Sequence, residues 1–110
     1  MNLKFKESGK YLIVYLRGQL DVQNALDTEK ELSELLEKFP DRDVILNLQG
    51  VEFMSSSGIR VLVYLHRVLK EKKKNLKLCD LSHAVRKVFQ VIELMDMFAI
   101  FETEEEAAAS

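Results

Sequence analysis

From residue 11 onward, apolar runs of strand length alternate with segments of helical periodicity, and that alternation limits what the chain can fold into. Tyr11-Leu12-Ile13-Val14-Tyr15-Leu16 reads as a strand. After Arg17-Gly18-Gln19-Leu20-Asp21, apolar residues recur at Val22, Ala25, Leu26, Leu32, Leu35, Leu36 and Phe39, the three-and-four spacing of one helical face, until Pro40 stops the helix. Asp43 to Leu48 reads as a central buried strand, with Gly50 as a breaker before Val51-Glu52-Phe53-Met54. Ser55-Ser56-Ser57-Gly58 opens a second helix that runs to about Lys74, where Lys70 to Lys74 sets cations at the negative end of the helix dipole. Leu76 to Cys79 returns as a strand. Asp80 or Ser82 caps a third helix with Val85, Val88, Phe89 and Ile92 on its face, and its end carries no glycine signal. Phe98 to Phe101 is a last short strand, and Thr103 with Glu106 has capping-box spacing ahead of Ala107, Ala108 and Ala109.

A strand joined through a helix to the next strand makes a crossover with parallel strands. The start of the chain differs: Leu3 and Phe5 alternate with Lys4 and Lys6, then Glu7-Ser8-Gly9-Lys10 supplies turn chemistry before Tyr11. The expected fold is therefore α/β, one domain over residues 1–110. Its mixed sheet of four or five strands is entered by an N-terminal hairpin and carries about four helices. With 110 residues the chain has room for one core, and no repeat or linker divides it.

Composition removes several function classes. Lys and Arg total 16 against 18 for Asp and Glu, a net charge of −2 without the basic excess of a nucleic-acid footprint, so no direct DNA binding is expected. Cys79 is the only thiol, and no Cys/His cluster offers a metal site. The longest apolar run near the N-terminus, Tyr11 to Leu16, is too short for a signal segment, and nowhere do about 18 apolar residues run uninterrupted. A cytoplasmic protein without membrane insertion is expected.

Chemistry concentrates at Phe53-Met54-Ser55-Ser56-Ser57-Gly58-Ile59-Arg60, where three hydroxyls sit at a strand-to-helix turn. One serine suffices to cap a helix. The free N–H groups and dipole of that first turn also tolerate a phosphate, so a phosphoserine adds charge there without melting the helix. Ser57, Arg60, Tyr64, Arg67 and Glu71 follow helical spacing and are expected as one outward stripe, with Ile59, Leu62, Val63, Leu65, Val68 and Leu69 inward or sideways. Arg60 can pair a phosphate on Ser57 or stand as a solvated arginine. Asp21 and Glu52 lie near strand exits, on loops that can gather beside the serines; Asp21 can equally cap the first helix. Met95, Met97 and Phe98 either form an adaptable exposed patch or fill the core.

A serine hydrolase is the enzymatic alternative. It lacks a base: His66 stands nine residues beyond Ser57, about 13 Å by helical rise, and His83 lies in the next helix. The glycine pattern of a nucleophile elbow is absent, as are a P-loop and a His-Glu-x-x-His motif. No catalytic residue, cofactor or metal is assigned.

Gly18-Gln19-Leu20-Asp21, Ile45-Leu46-Asn47-Leu48, Phe53-Met54-Ser55-Ser56-Ser57-Gly58-Ile59 and Cys79-Asp80-Leu81-Ser82 with Val85, Val88 and Phe89 together resemble, over nearly the whole chain, the STAS domain of bacterial anti-sigma factor antagonists. The resemblance implies a partner-switching protein of transcription regulation. Its unmodified form would bind an anti-sigma factor with serine kinase activity and free the sigma factor; that kinase would phosphorylate the serine before the glycine, and a PP2C-type phosphatase would restore it. By position the phosphoacceptor is Ser57, with Asp21, Ser55, Ser56, Gly58 and Arg60 on the partner-binding surface. The family usually has an acidic residue where Ser55 stands and a small one where Arg60 stands. STAS-like domains also serve as scaffold subunits of stress-sensing or lipid-transport complexes, which is the alternative role.

Overall fold

The computed structural model describes residues 3–110. Strands β1 (Lys4–Ser8) and β2 (Tyr11–Leu20) form the expected antiparallel hairpin, with Lys4 opposite Tyr15 and Ser8 opposite Tyr11. Its two-residue turn needs a positive φ, which Gly9 supplies at +58° without steric penalty. There follow α1 (Ala25–Lys38), β3 (Asp43–Met54), α2 (Ser56–Glu71), β4 (Leu76–Cys79), α3 (His83–Val91), β5 (Ala99–Phe101) and α4 (Glu104–Ala109). The five strands lie in chain order, β1 antiparallel to β2 and the others parallel. A parallel sheet that grows in one direction by right-handed crossovers sets its connecting helices on one face.

The side chains obey that arrangement. Leu12, Val14, Val44, Leu46 and Leu78 point into the main core with Leu32, Leu36, Leu62, Leu65, Val85 and Phe89 of α1, α2 and α3. The alternate residues Tyr11, Ile13, Ile45 and Cys79 face the other way, under Ala107 of α4. Because β2 and β3 are covered on both faces, they read as continuous apolar runs rather than alternating ones. β1 is exposed throughout and carries Lys4 and Lys6 on the sheet edge, charges that oppose strand addition. Lys77 Nζ anchors α4 by donating to the carbonyls of Ala107 and Ser110, each at 3.0 Å, at the negative pole of that helix.

Several local expectations are corrected. β3 does not break at Gly50 but runs on to Met54 beside the end of β2. The pairing slips between Tyr15 and Arg17 and again between Gly18 and Gln19, and a Cβ on Gly50 would lie 2.8 Å from Arg17 Cβ. Gly50 thus permits a close approach at a bulge. Helix α1 begins at Ala25 because a turn occupies residues 21 to 24, which leaves Val22 outside the helix and exposed; Leu26, inside α1 but off its buried face Ala25, Thr28, Leu32 and Leu36, is exposed as well. α2 ends at Glu71 and closes with Lys74 N–H donating to Leu69 O at 2.8 Å, Lys73 taking the left-handed conformation at φ +60°. α3 closes the same way: Leu94 N–H donates to Phe89 O with Glu93 at φ +56°, so a helix lacking a glycine still has a left-handed end. Ser82, not Asp80, caps α3 by accepting from Val85 N–H at 3.2 Å, and Ile92 falls beyond the helix and is exposed. Thr103 caps α4 as its spacing indicated. The methionines divide: Met95 packs against the core and Met97 is exposed.

Candidate functional site

Leu20 and Met54 are register partners at the ends of β2 and β3, and the serine turn begins one residue later. Ser55 is extended, with φ −93° and ψ 178°. Its N–H donates to Leu20 O at 2.9 Å and its hydroxyl donates to the same oxygen at 3.2 Å. The Ser55 hydroxyl also accepts from Ser57 N–H at 3.1 Å, the bond of a helix cap. The capping role of the three serines therefore belongs to Ser55. Ser56 is exposed, and Ser57 is half-buried where the sequence reading had it exposed. Among the described residues neither of their hydroxyls makes a hydrogen bond.

Gly58 is buried on the inner side of this first turn. An added Cβ would lie 2.8 Å from both Leu20 Cβ and Leu20 O, and 3.0 Å from Met54 Cγ. Only a glycine lets α2 start this close to the end of β2. The same contact brings the Asp21 turn beside the serines, since Asp21 follows Leu20 directly. Asp21 Oδ1 accepts from the N–H groups of Gln23 at 3.0 Å and Asn24 at 3.2 Å, while Asn24 Oδ1 accepts from Asp21 N–H at 3.0 Å. Asn24 Nδ2 donates to Gln19 O. Asp21 thus holds the turn that leads into α1 but does not cap the helix itself, whose N-cap residue is Asn24 with no side-chain cap bond, so the capping reading of Asp21 is corrected.

Arg60, one turn beyond Ser57, is exposed and makes no ion pair among the described residues. The outward stripe is interrupted at Tyr64, whose hydroxyl lies 2.8 Å from Ser33 Oγ of α1, with the Arg67 guanidinium over its ring. Glu52 is an exposed residue inside β3 and not on a loop. His66 packs edge-on against Phe98 at 5.5 Å, and His83 is exposed at the start of α3. Among the described residues no group of three His, Cys, Asp or Glu could hold a metal ion, and no helix is long and apolar enough to cross a membrane.

A second polar cluster stands on the α4 face. Asn47 Nδ2 donates to Asp80 Oδ2 and to Glu104 Oε1, both at 3.2 Å, and Lys6 Nζ pairs with Glu104 Oε2 at 3.1 Å. Burial, with Asp80 beside it, pushes the Cys79 thiol well above its ordinary range. With its side chain fully buried as well, Cys79 has the surroundings of a structural thiol, not of a reactive thiolate.

Sequence reasoning missed one feature beside the serines: an apolar groove between the end of β3 and α3, lined by Phe53, Met54, Val88 and Val91 among others. Its signal was the outer α3 stripe Ala84, Val88 and Val91, at four- and three-residue steps beside the core stripe Val85 and Phe89.

Comparison with known proteins agrees with this geometry. The STAS domain model matches residues 2–107. The Bordetella bronchiseptica protein BtrV is 32% identical over 110 residues, covering 100% of this chain and 94% of that one. The anti-sigma F factor antagonist of Paenibacillus polymyxa is 25% identical over 93 residues, covering 84% and 80%. The Bacillus cell fate determinant SpoIIAA in its phosphorylated form superposes with a TM-score of 0.70 at 25% identity, covering 97% and 96%. SpoIIAA in its unphosphorylated form gives 0.71 at 22%, covering 97% and 94%.

Proposed function

Because the chain belongs to the STAS domain family, we propose that it is an anti-sigma factor antagonist switched by phosphorylation of Ser57. In the unmodified state the first turn of α2 and the Asp21 turn dock an anti-sigma factor with serine kinase activity, which frees the sigma factor. Phosphate on Ser57 ends that contact, and a PP2C-type phosphatase restores it.

The observation that carries this reading is the division of labour among the serines. Ser55 holds the helix end through its bonds to Leu20 O and Ser57 N–H, so the Ser57 hydroxyl is left for chemistry. Phosphorylation adds about −1.5 to −2 charge. At the second residue of α2 that charge meets the positive end of the helix dipole, so the helix tolerates it. The exposed Arg60, one turn along, is placed in sequence to pair it. A partner approaching this face instead meets a dianion to desolvate, beside the Asp21 carboxylate. SpoIIAA has been solved in a phosphorylated and an unphosphorylated form, and this chain's fold superposes on both, which is consistent with a modification that the fold tolerates.

Calorimetry with the cognate anti-sigma kinase tests the reading. Ser57→Ala is expected to bind as tightly as the parent and stay bound in the presence of ATP, whereas Ser57→Asp loses affinity about tenfold or more. Equal affinity for Ser57→Asp and the parent would falsify it.

A further inference from the structure

The lysines of Lys70-Glu71-Lys72-Lys73-Lys74 exceed what the end of α2 needs. Backbone groups close that end: Lys72 N–H donates to Leu69 O at 3.0 Å, Lys73 N–H to Lys70 O at 3.0 Å and Lys74 N–H to Leu69 O at 2.8 Å. The last carbonyls are thus satisfied without a lysine side chain. Left-handed Lys73 turns the chain back, so Lys74 is half-buried while Lys70, Lys72 and Lys73 are exposed. Lys70 and Lys74 line a cleft of about 260 Å³ with His66, Asn75 and Lys77, between the second half of α2 and the start of β4. No Asp or Glu lines it among the described residues. Neither Lys70 nor Lys74 makes an ion pair among those residues, and the side chains of Lys70, Lys74, Asn75 and His66 make no hydrogen bond. Lys77 differs, because its ammonium is committed to the carbonyls of Ala107 and Ser110. The His66 ring is held edge-on against Phe98, which fixes one wall of the cleft.

We propose that this cleft binds a compact dianion of the phosphate class, either inorganic phosphate or the phosphoryl group of a small phosphate monoester. Two uncompensated ammonium groups, those of Lys70 and Lys74, donate charge-assisted hydrogen bonds to its oxygens, and the Asn75 amide supplies a neutral donor. With no carboxylate in the wall, nothing competes with the ligand for the lysines. At about 260 Å³ the cleft is smaller than the usual pocket for a drug-sized ligand and matches a phosphoryl group with a short substituent. The site lies at the far end of α2 from the serine turn, since Lys70 stands thirteen residues beyond Ser57, about 20 Å by helical rise. It does not depend on the partner-switching reading, and a ligand bound there leaves Ser57 uncovered.

The test titrates inorganic phosphate and, separately, glycerol phosphate into isotope-labelled protein at constant ionic strength and follows the backbone amide shifts. Saturable shifts confined to residues 66–77 and absent from the serine turn are expected. The tighter of the two ligands identifies the source of the phosphoryl group, and equal affinity assigns recognition to that group alone. None of the four ammonium groups of Lys70, Lys72, Lys73 and Lys74 has an ion pair or hydrogen bond among the described residues, so double variants there keep the fold. Lys70→Gln with Lys74→Gln is expected to weaken binding about tenfold or more. Lys72→Gln with Lys73→Gln removes the same charge outside the cleft and is expected to change affinity less than about twofold. Equal losses in the two double variants reduce the effect to net charge and overturn the site. Shifts that chloride alone reproduces, that never saturate, or that do not occur overturn it as well.

Discussion

Gly58 in the first turn of α2 lies so close to Leu20 at the end of β2 that a Cβ would sit 2.8 Å from the Leu20 carbonyl oxygen. Replacing a helical glycine by alanine ordinarily stabilises by about 1 kcal/mol. Here one of the opposing atoms is backbone, held in register with Met54, and cannot rotate away. Overpacking of this kind costs about 1–3 kcal/mol. Gly58→Ala is therefore expected to lower stability in urea denaturation and to reduce Ser57 phosphorylation, because the helix start must move. An alanine variant more stable than the parent would contradict the contact.

The serines separate by energy. Ser55→Ala removes the cap of α2 and the bond to Leu20 O, and is expected to cost about 1–2 kcal/mol in denaturant unfolding. Ser56→Ala, on an exposed residue whose hydroxyl makes no hydrogen bond among the described residues, should change stability by less than about 0.5 kcal/mol. Equal losses in the two variants would remove Ser55 from its capping role.

Acid sensitivity is expected at the other face. Burial alone would raise the Glu104 carboxyl, but hydrogen bonds from Tyr15, Lys6 and Asn47 outweigh it and hold the group below its ordinary value. A carboxyl depressed in the folded state contributes stability above its unfolded pKa and loses it as pH falls through the folded value. Thermal unfolding followed from pH 7 to about 3 should show a shallower acid decline in Glu104→Gln, which starts from a lower midpoint at pH 7. Parallel curves would mean that Glu104 has the same pKa folded and unfolded.

Much of this fold is legible in the residue pattern because hydrophobic periodicity reports directly on which faces are buried. The hairpin, the crossovers and the order of elements follow from that. What escapes are contacts between segments distant in sequence. A glycine inside an apolar run signals either a break or a close approach, and only the position of Arg17 decides for Gly50. Val22 and Leu26 fit a helical period, yet the mutual side-chain bonds of Asp21 and Asn24 hold a turn that leaves Val22 outside the helix, and Leu26 falls off the face that Ala25, Thr28, Leu32 and Leu36 bury. Likewise, the run Ser55-Ser56-Ser57 does not say which hydroxyl caps, since the answer depends on the carbonyl of Leu20. The groove beside it was hidden because an outward apolar stripe on α3 reads the same as a core-facing one.

The most direct test is the site of modification. The protein is incubated with the cognate anti-sigma kinase and ATP, and the phosphopeptides are mapped by fragmentation mass spectrometry. A single phosphate on Ser57, lost in Ser57→Ala and removed by a PP2C-type phosphatase, is the predicted result. Phosphate on Ser55 or Ser56, or none on the parent protein, would contradict the account.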